Sequence, residues 1–281
     1  MTERSLVKRA LPHFFLALAI FVLAFPIWLV FVASTHTLQE ILNAPMPVLP
    51  GLHLLENYGR ALVAGTDNLG AGAWTMMMNS LIMAVGIAVG KIVVSLLAAF
   101  AIVFFNFRLR GFCFWTIFVT LMLPVEVRIM PTYKVIADLH MLNSYAGLIL
   151  PMIVSATAVF LFRQFFLTLP REMAEASQID GAGPMAFFGT ILVPMTRTPI
   201  AAMFVIQFIY GWNQYLWPLL ITTKEKYYTL LIGINRMLTG ADTQIEWQIV
   251  MATTLLAMIP PVIVVVLMQK QFVTGMTDVE K

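Results

Sequence analysis

Long runs of apolar residues dominate the chain, and short polar stretches separate them. A helix rises about 1.5 Å per residue, so about 20 apolar residues cross the roughly 30 Å of hydrocarbon in a bilayer. Runs such as IVVVLM do not alternate between apolar and polar residues, as the strands of a membrane barrel would. The pattern therefore predicts an all-α membrane protein with six transmembrane helices, near residues 11–33, 74–105, 112–127, 146–166, 200–221 and 249–268.

The composition agrees with this pattern. Hydrophobic residues make up 60% of the chain and charged residues 11%, whereas soluble globular domains carry about 25% charged residues. The mean hydropathy is +0.88. The basic residues lie mainly near the ends of the predicted spans, and no surface of interleaved Arg and aromatic residues is visible. We therefore expect contact with membrane lipid and no nucleic-acid partner.

The distribution of Lys and Arg predicts the orientation. The first span follows Arg4, Lys8 and Arg9, and its apolar run is too long for a cleaved signal, whose apolar core has about 7 to 15 residues. With the N-terminus inside, ten Lys and Arg residues lie near the inner ends of spans and six near the outer ends. Both termini are therefore expected on the cytoplasmic side of the membrane.

The whole chain, 1–281, is expected to form a single transmembrane domain with two unequal loops. The outer, periplasmic loop at 34–73 is rich in Pro and Gly, and one short helix is expected near HLLENYGRAL. The inner, cytoplasmic loop at 168–199 is long compared with the roughly 2 to 8 residues that join bundle helices. It either docks a partner or only solvates the inner face, and both readings stay open at this point.

The inner loop is predicted to form a helix, a turn and a second helix. Pro170 suits a first helical turn, and Glu172 and Glu175 would then lie near the positive end of the helix dipole. The DGAG stretch stops this helix because glycine adopts backbone angles that other residues resist. Pro184 suits the start of the second helix, PMAFFGTILV, and Pro194 is expected to end it.

The same loop carries a recognisable motif. EASQIDGAGPMAFFGTILVP, residues 175–194, resembles the EAA loop, E-A-A-x3-G-x9-I-x-L-P, of permease subunits of binding-protein-dependent ABC importers. Ser177 replaces the third-position Ala and Val193 the Leu, which are small or apolar changes. GLILP at 147–151 and YGWNQYLWPLL resemble the sugar-importer branch that includes the maltose permeases. LMLPVEVRI, GKI and the C-terminal DVEK most resemble the second permease subunits of glycerol 3-phosphate importers.

The resemblance implies the fold of a type I ABC importer permease, a location in the inner (plasma) membrane of a bacterium, and a set of partners. These are a homologous permease subunit, a dimer of ATP-binding subunits that holds ATP and Mg, and a periplasmic substrate-binding protein. The loop at 168–199 would form coupling helices seated on the ATP-binding subunits. The residues that the resemblance assigns to this contact are Glu172, Glu175, Ala176, Asp180, Gly181 and Pro194.

The residues predict no catalytic chemistry and no cofactor in the chain itself. The stretch GIAVGKI, residues 86–92, has one residue too few between its glycines for a P-loop, Ile after the Lys, and lies inside a span. The four histidines are scattered and show no metal-ligand spacing. An ion-coupled secondary transporter would need acids deep in the spans, which are lacking, and an intramembrane enzyme would need a nucleophile with a base.

Four polar residues are candidates for a substrate pathway. Lys91 lies within the second span, where a charge usually faces a cavity or a partner, although it could also pair with a buried acid or carbonyl or snorkel. Glu126 and Arg128 could line the mouth or only anchor the third span. Asn213 is a polar amide within a span. The expected cargo is glycerol 3-phosphate or a glycerophosphodiester, with a neutral, maltose-like sugar as the alternative.

Overall fold

The computed structural model describes residues 6–66, 69–120, 125–239 and 244–277. Within these ranges the chain is helical, and the only β pairing is an isolated bridge between Thr66 and Leu69. The predicted all-α fold is confirmed. The helices are α1 (Leu6–Ser34), α2 (Leu38–Leu42), α3 (Leu54–Val63), α4 (Ala73–Phe104), α5 (Arg110–Val119), α6 (Val125–Asp138), α7 (Tyr145–Ile149), α8 (Ala156–Thr168), α9 (Glu172–Ile179), α10 (Pro184–Phe187), α11 (Val193–Met195), α12 (Arg197–Trp212), α13 (Leu216–Ile221), α14 (Leu230–Thr239) and α15 (Trp247–Thr277).

Three of the described helices are long and apolar enough to cross a membrane: Leu11–Ser34 of α1, the whole of α4, and Trp247–Gln269 of α15. Two bent pairs also meet this test if each counts as one span. The first pair is Tyr145–Met152 with α8, bent by 50°, and the second is Pro184–Met195 with α12, bent by 75°. The described residues therefore provide three spans, or up to five.

The predicted count of six spans depends on the region around residues 112–127. There α5 ends at Val119 and α6 begins at Val125, and residues 121–124 lie outside the described part of the chain. Alone, the 10 residues of α5 would extend about 15 Å, which is half of the hydrocarbon thickness. The span predicted at 200–221 is also interrupted, because α12 ends at Trp212 and α13 begins at Leu216. Six spans stays a prediction.

The bend between α7 and α8 has a clear cause in Pro151. Proline has no backbone N–H, so the carbonyl of Gly147, four residues earlier, has no helical partner. This carbonyl instead accepts a hydrogen bond from Nε1 of the buried Trp217 at 3.2 Å. α8 then begins after Ser155, whose hydroxyl accepts from the N–H of Ala158. The apolar run at 146–166 is therefore two helical pieces rather than one straight helix.

The chain packs as two compact units, and the described residues of the first fall within 1–75 and 233–258. This unit contains the polar loop at 34–73, where the structure shows α2 in addition to the expected α3. α2 begins with a capping box, in which Thr37 and Glu40 exchange backbone and side-chain hydrogen bonds. The hydrogen bonds from Thr37 hold the pKa of the Glu40 carboxyl below its usual value.

Buried polar side chains give this loop a defined conformation. Asn57 is buried, and its Nδ2 donates hydrogen bonds to the backbone carbonyls of Ser34 and His36, both at 2.9 Å. Arg60 of α3 pairs with Glu246, the residue before α15, at 2.6 Å. These contacts connect α3 to the C-terminal end of α1 and to the residue before α15.

The described residues of the second unit fall within 76–232 and 259–281. One of its apolar cores joins α4, α6, α7 and α13, with Met83, Ile87, Ile129, Leu148 and Trp217 at its centre. Next to this core the amide of Asn79 is fully engaged: Nδ2 donates to the carbonyls of Lys226 and Tyr228, and Oδ1 accepts from the Tyr145 hydroxyl at 2.7 Å. This core supports one side of the cavity described below.

Candidate functional site

The loop at 168–199 folds as two helical segments around a glycine turn. α9 ends at Ile179, and Asp180 caps it with its backbone N–H bonded to the carbonyl of Ala176. Gly181 then has a φ of +80°, a left-handed conformation that glycine adopts without strain. After α10 the chain makes a π-helical turn at Phe188–Leu192 and continues through α11.

The residues assigned to coupling lie on the surface of this loop. All six of them are exposed: Glu172, Glu175, Ala176, Asp180, Gly181 and Pro194. Two apolar side chains lie beside them, Ile179 with 86% of its surface exposed and Met185 with 64%. A surface that combines carboxylates with exposed apolar side chains next to a glycine turn has the chemical character of a docking surface.

Pro194 does not end the second helix, contrary to the prediction. It occupies the second position of α11, and helical structure continues to Met195 before the chain bends into α12. The π-helical turn just before it explains this, because a π turn shifts the hydrogen-bonding partner by one residue and leaves room for a residue that lacks an N–H.

An aromatic cluster holds the loop against the helices of its unit. Phe187 and Phe188 of the loop pack on Phe100 of α4, with ring centroids 6.4 and 5.0 Å apart. Phe104 contacts both Phe187 and Phe166 of α8. These ring contacts connect the loop directly to α4 and, through Phe104, to α8.

Ser177 offers a test of the packing beneath the docking surface. It is 4% exposed, and its hydroxyl has no hydrogen-bond partner among the described residues. A buried hydroxyl without a partner costs about 1 to 3 kcal/mol. We expect Ser177→Ala to raise the melting temperature of the purified subunit or complex and to leave transport intact. Thr190→Ala, the loss of a hydroxyl at an exposed position, is the control. If Ser177→Ala lowers the melting temperature of the complex, Ser177 Oγ has a hydrogen-bond partner in the assembly.

A cavity of about 620 Å³ lies among α4, α6, α12 and the break between α7 and α8. Its volume falls in the range of about 300 to 1,000 Å³ that small-molecule sites occupy. The lining mixes apolar side chains with polar ones, and no Asp or Glu is among the described residues that form it. Its polar members include Lys91, Thr120, Arg128, Thr132, Ser155, Gln207 and Tyr210.

Lys91 lies in this cavity and is held by two uncharged groups. Its side chain is 6% exposed. Nζ donates a hydrogen bond to Oε1 of Gln207 at 3.0 Å and lies 3.6 Å from the centroid of the Tyr210 ring. Of the alternatives that the sequence left open, the described contacts include neither an acid nor a backbone carbonyl. The ammonium is oriented, and its charge is not neutralised by these two groups.

Arg128 lines the same cavity from α6, so the structure brings two of the four pathway candidates together. The backbone of Glu126 belongs to α6, but its side chain lies outside the described part of the structure. Asn213 is exposed at the C-terminal end of α12 and is not among the lining residues. Substrate contact by Asn213 and Glu126 stays a prediction.

Gln207, Tyr210 and Trp217 are among the lining residues that the sequence analysis did not identify. A polar Gln within an apolar run was an available signal, since such amides tend to face the bundle interior. The other missed feature is the pair Gly86 and Gly90, which faces Ile149 and Ile153. This small-xxx-small spacing allows close helix approach, and it is the structural reason for the GIAVGK stretch.

Together these features define a multi-pass helical membrane protein with a polar cavity among its helices and an exposed loop of short helices at 168–199. The family model described as "Binding-protein-dependent transport system inner membrane component" matches residues 91–278, more than half of the chain. The chain belongs to this family and is a permease subunit of an ABC transporter of the inner membrane.

Relatives match over the full length. The sn-glycerol-3-phosphate transport system permease proteins UgpE of Brucella melitensis biotype 1 and Agrobacterium fabrum are each 54% identical to this chain and aligned over 100% of both sequences. The UgpE of Escherichia coli O1:K1 is 55% identical over 96% of both. Among solved structures, a bacterial ABC transporter involved in the import of the acidic polysaccharide alginate matches with a TM-score of 0.82 at 18% identity, over 97% of this chain and 99% of that one.

Proposed function

We propose that this chain is one of two permease subunits of an ATP-driven importer for sn-glycerol 3-phosphate or glycerophosphodiesters. The observation that carries the proposal is the full-length identity of 52 to 55% to permeases named for sn-glycerol 3-phosphate. The cavity supports it independently. Two cationic side chains and no described carboxylate line the cavity, which favours an anionic cargo over a cationic one.

The importer needs partners that supply its energy and its substrate. A homologous permease completes the pathway, a periplasmic binding protein delivers the cargo, and a dimer of ATP-binding subunits holds ATP and Mg and hydrolyses the nucleotide. The chain itself is a non-catalytic translocation subunit. With the N- and C-termini in the cytoplasm, the loop at 168–199 faces the ATP-binding subunits and the loop at 34–73 faces the periplasm.

The loop at 168–199 transmits the motion of the ATP-binding subunits. Its exposed carboxylates offer charge-assisted hydrogen bonds to a partner, and Ile179 and Met185 offer apolar contact. Closure of the partner would push the loop, and the aromatic cluster would carry that displacement into α4 and α8. α4 also carries Lys91, so the same helix joins the docking surface to the cavity. The cycle then follows from different affinities of ATP and cargo for the two conformations.

ATP hydrolysis by the complex tests this function. The complex would be copurified on this subunit, placed in lipid nanodiscs and mixed with binding protein preloaded with glycerol 3-phosphate or with maltose. We expect an ATPase to copurify and its activity to rise severalfold with the phosphate ester alone. Unloaded binding protein serves as the control for each cargo.

Other outcomes of this measurement point to different functions. Stimulation by maltose alone would assign the chain to a neutral-sugar importer and refute the phosphate-ester cargo. Transport driven by an ion gradient, with no copurifying ATPase, would favour a secondary transporter and refute the coupling role of the loop.

A further inference from the structure

We propose that Lys91 and Arg128 form a phosphate-binding site within this subunit, and that Gln207 and Tyr210 position the Lys91 ammonium for it. This site rests on the proposed function and adds to it the side chains that contact the cargo. The ligand class is a small organic phosphate that carries a dianionic phosphoryl group and hydroxyls.

The surroundings of Lys91 orient its ammonium group but leave the positive charge available to a ligand. A buried charge is costly unless an opposite charge or several hydrogen bonds compensate it. Lys91 is buried, yet the partners that the structure shows are an amide oxygen at 3.0 Å and an aromatic ring at 3.6 Å. The ammonium has three N–H donors and Gln207 accepts one, so an anion in the cavity can accept another.

Arg128 supplies the second positive charge from a different helix. A guanidinium presents a planar fork of donors that matches two phosphate oxygens, whereas a lysine acts as a point charge. Arg128 and Lys91 line one cavity of about 620 Å³, which is large enough for a three-carbon phosphate ester. Thr120, Thr132 and Ser155 also line it. The hydroxyls of Thr120 and Thr132 donate to backbone carbonyls, and all three hydroxyl oxygens can accept hydrogen bonds from the polyol part of such a molecule.

The two charges also explain how the cavity would distinguish cargoes. A phosphate dianion neutralises both cations, and its attraction to them is stronger in a low dielectric than in water. A neutral sugar leaves both cations without a counter-charge while it expels the water that solvates them. Each charge-assisted hydrogen bond that is lost should lower phosphate affinity about tenfold to a hundredfold.

Gln207→Glu is the sharpest test because it changes charge and almost no volume. The new carboxylate would lie where the amide oxygen now accepts from Lys91 and would neutralise the ammonium. If Lys91 only supports the fold, the new ion pair would replace the present hydrogen bond, and uptake would stay unchanged. A phosphate site predicts that uptake falls about tenfold or more while the melting temperature is kept.

The variants would be compared in the intact complex, reconstituted in proteoliposomes with its ATPase and binding protein, by uptake of radiolabelled glycerol 3-phosphate. We expect Lys91→Met and Arg128→Gln to lose uptake and Lys91→Arg to retain part of it. Lys134→Gln removes a cation from α6 away from the cavity, and Gln164→Glu makes the same exchange at an exposed position of α8. Both controls should transport like the wild type.

A second readout separates this site from the choice of cargo. Millimolar inorganic phosphate or glycerol 3-phosphate should raise the melting temperature of the complex without binding protein, and Lys91→Met and Gln207→Glu should abolish the shift. If the wild type shows this shift but imports only maltose, the cargo proposal fails and the phosphate site stands. If glycerol 3-phosphate is imported and Gln207→Glu and Lys91→Met import it normally, the cargo stands and the site is refuted.

Discussion

Gly181→Asp should abolish transport while leaving the subunit folded and inserted. Gly181 has a φ of +80°, and a Cβ built at this position meets no atom within 4 Å. A left-handed conformation costs a non-glycine residue about 1 to 2 kcal/mol, and Asp and Asn tolerate it better than most residues. The fold should therefore tolerate the substitution. Any loss of transport must then arise at the surface from which the new side chain projects.

That surface is the one that the proposed function assigns to the ATP-binding subunit. The new carboxylate would project from the glycine turn, beside Asp180 and the carboxylates of α9, and would add both bulk and negative charge to this surface. We expect less ATPase to copurify and uptake to fall by more than tenfold. The melting temperature of the isolated subunit should fall by only a few degrees, as about 1 kcal/mol predicts for a chain of this size.

Two further variants separate the possible causes. Gly181→Asn has nearly the same shape without the charge, so it shows how much of the loss is steric. Gly111→Asp places the same carboxylate at another exposed glycine with no atom within 4 Å of its Cβ, in the first turn of α5, where the helix dipole favours it. Normal uptake by Gly181→Asp would refute the coupling role of this turn.

The helices themselves could be predicted from the sequence because hydropathy reports them directly. α1, α4 and α15 are continuous apolar helices close to the ranges predicted from the apolar runs. The breaks could not be predicted in the same way. Pro151 is a local signal for the interruption, but the Gly147 carbonyl that it leaves free accepts a hydrogen bond from Trp217, 70 residues later in the chain than Gly147, and no local pattern contains that partner.

The cavity shows the same limit. Lys91 could be identified because a charge is costly within an apolar span, and Arg128 because it lies at the outer end of one, and both are local properties of the sequence. Gln207 carries a local signal as a polar amide within an apolar run, but its contact with Lys91, 116 residues away, could not be predicted from that signal. In the 168–199 loop, the glycine turn follows from residue type, whereas the position of Pro194 depends on a π turn that no residue pattern announces.

Among substitutions that add one methyl group in the second unit, Gly147→Ala should cause the largest loss of stability. A Cβ at this position would overlap the backbone carbonyl oxygen of Met141 and approach the carbonyl carbon at 3.2 Å. Unlike the end of a side chain, this backbone cannot turn away. The Met141 carbonyl accepts from the Ser144 hydroxyl at 2.7 Å, and the same hydroxyl accepts from the N–H of Gly147.

The flanking turn is also held in place, so the clash cannot relax there. His140 and Asn143 have left-handed backbone angles, and Asn143 Oδ1 accepts from the N–H groups of Thr223 and Lys224 at 2.7 and 2.9 Å. We therefore expect a destabilisation of about 2 to 4 kcal/mol, measured as a lower melting temperature and a lower yield in detergent. Transport should fall too, because the Gly147 carbonyl holds Trp217 at the wall of the cavity.

Gly59→Ala is the matched control, and its effect should have the opposite sign. Gly59 lies inside α3, and a Cβ there meets no atom within 4 Å. Replacing a helical glycine by alanine stabilises a helix by about 0.8 to 1 kcal/mol. The same methyl group should thus raise the melting temperature at one glycine and lower it sharply at the other. If Gly147→Ala melts as the wild type does, α7 is not packed on the Met141 carbonyl as tightly as the structure shows, and the GLILP glycine needs a different explanation.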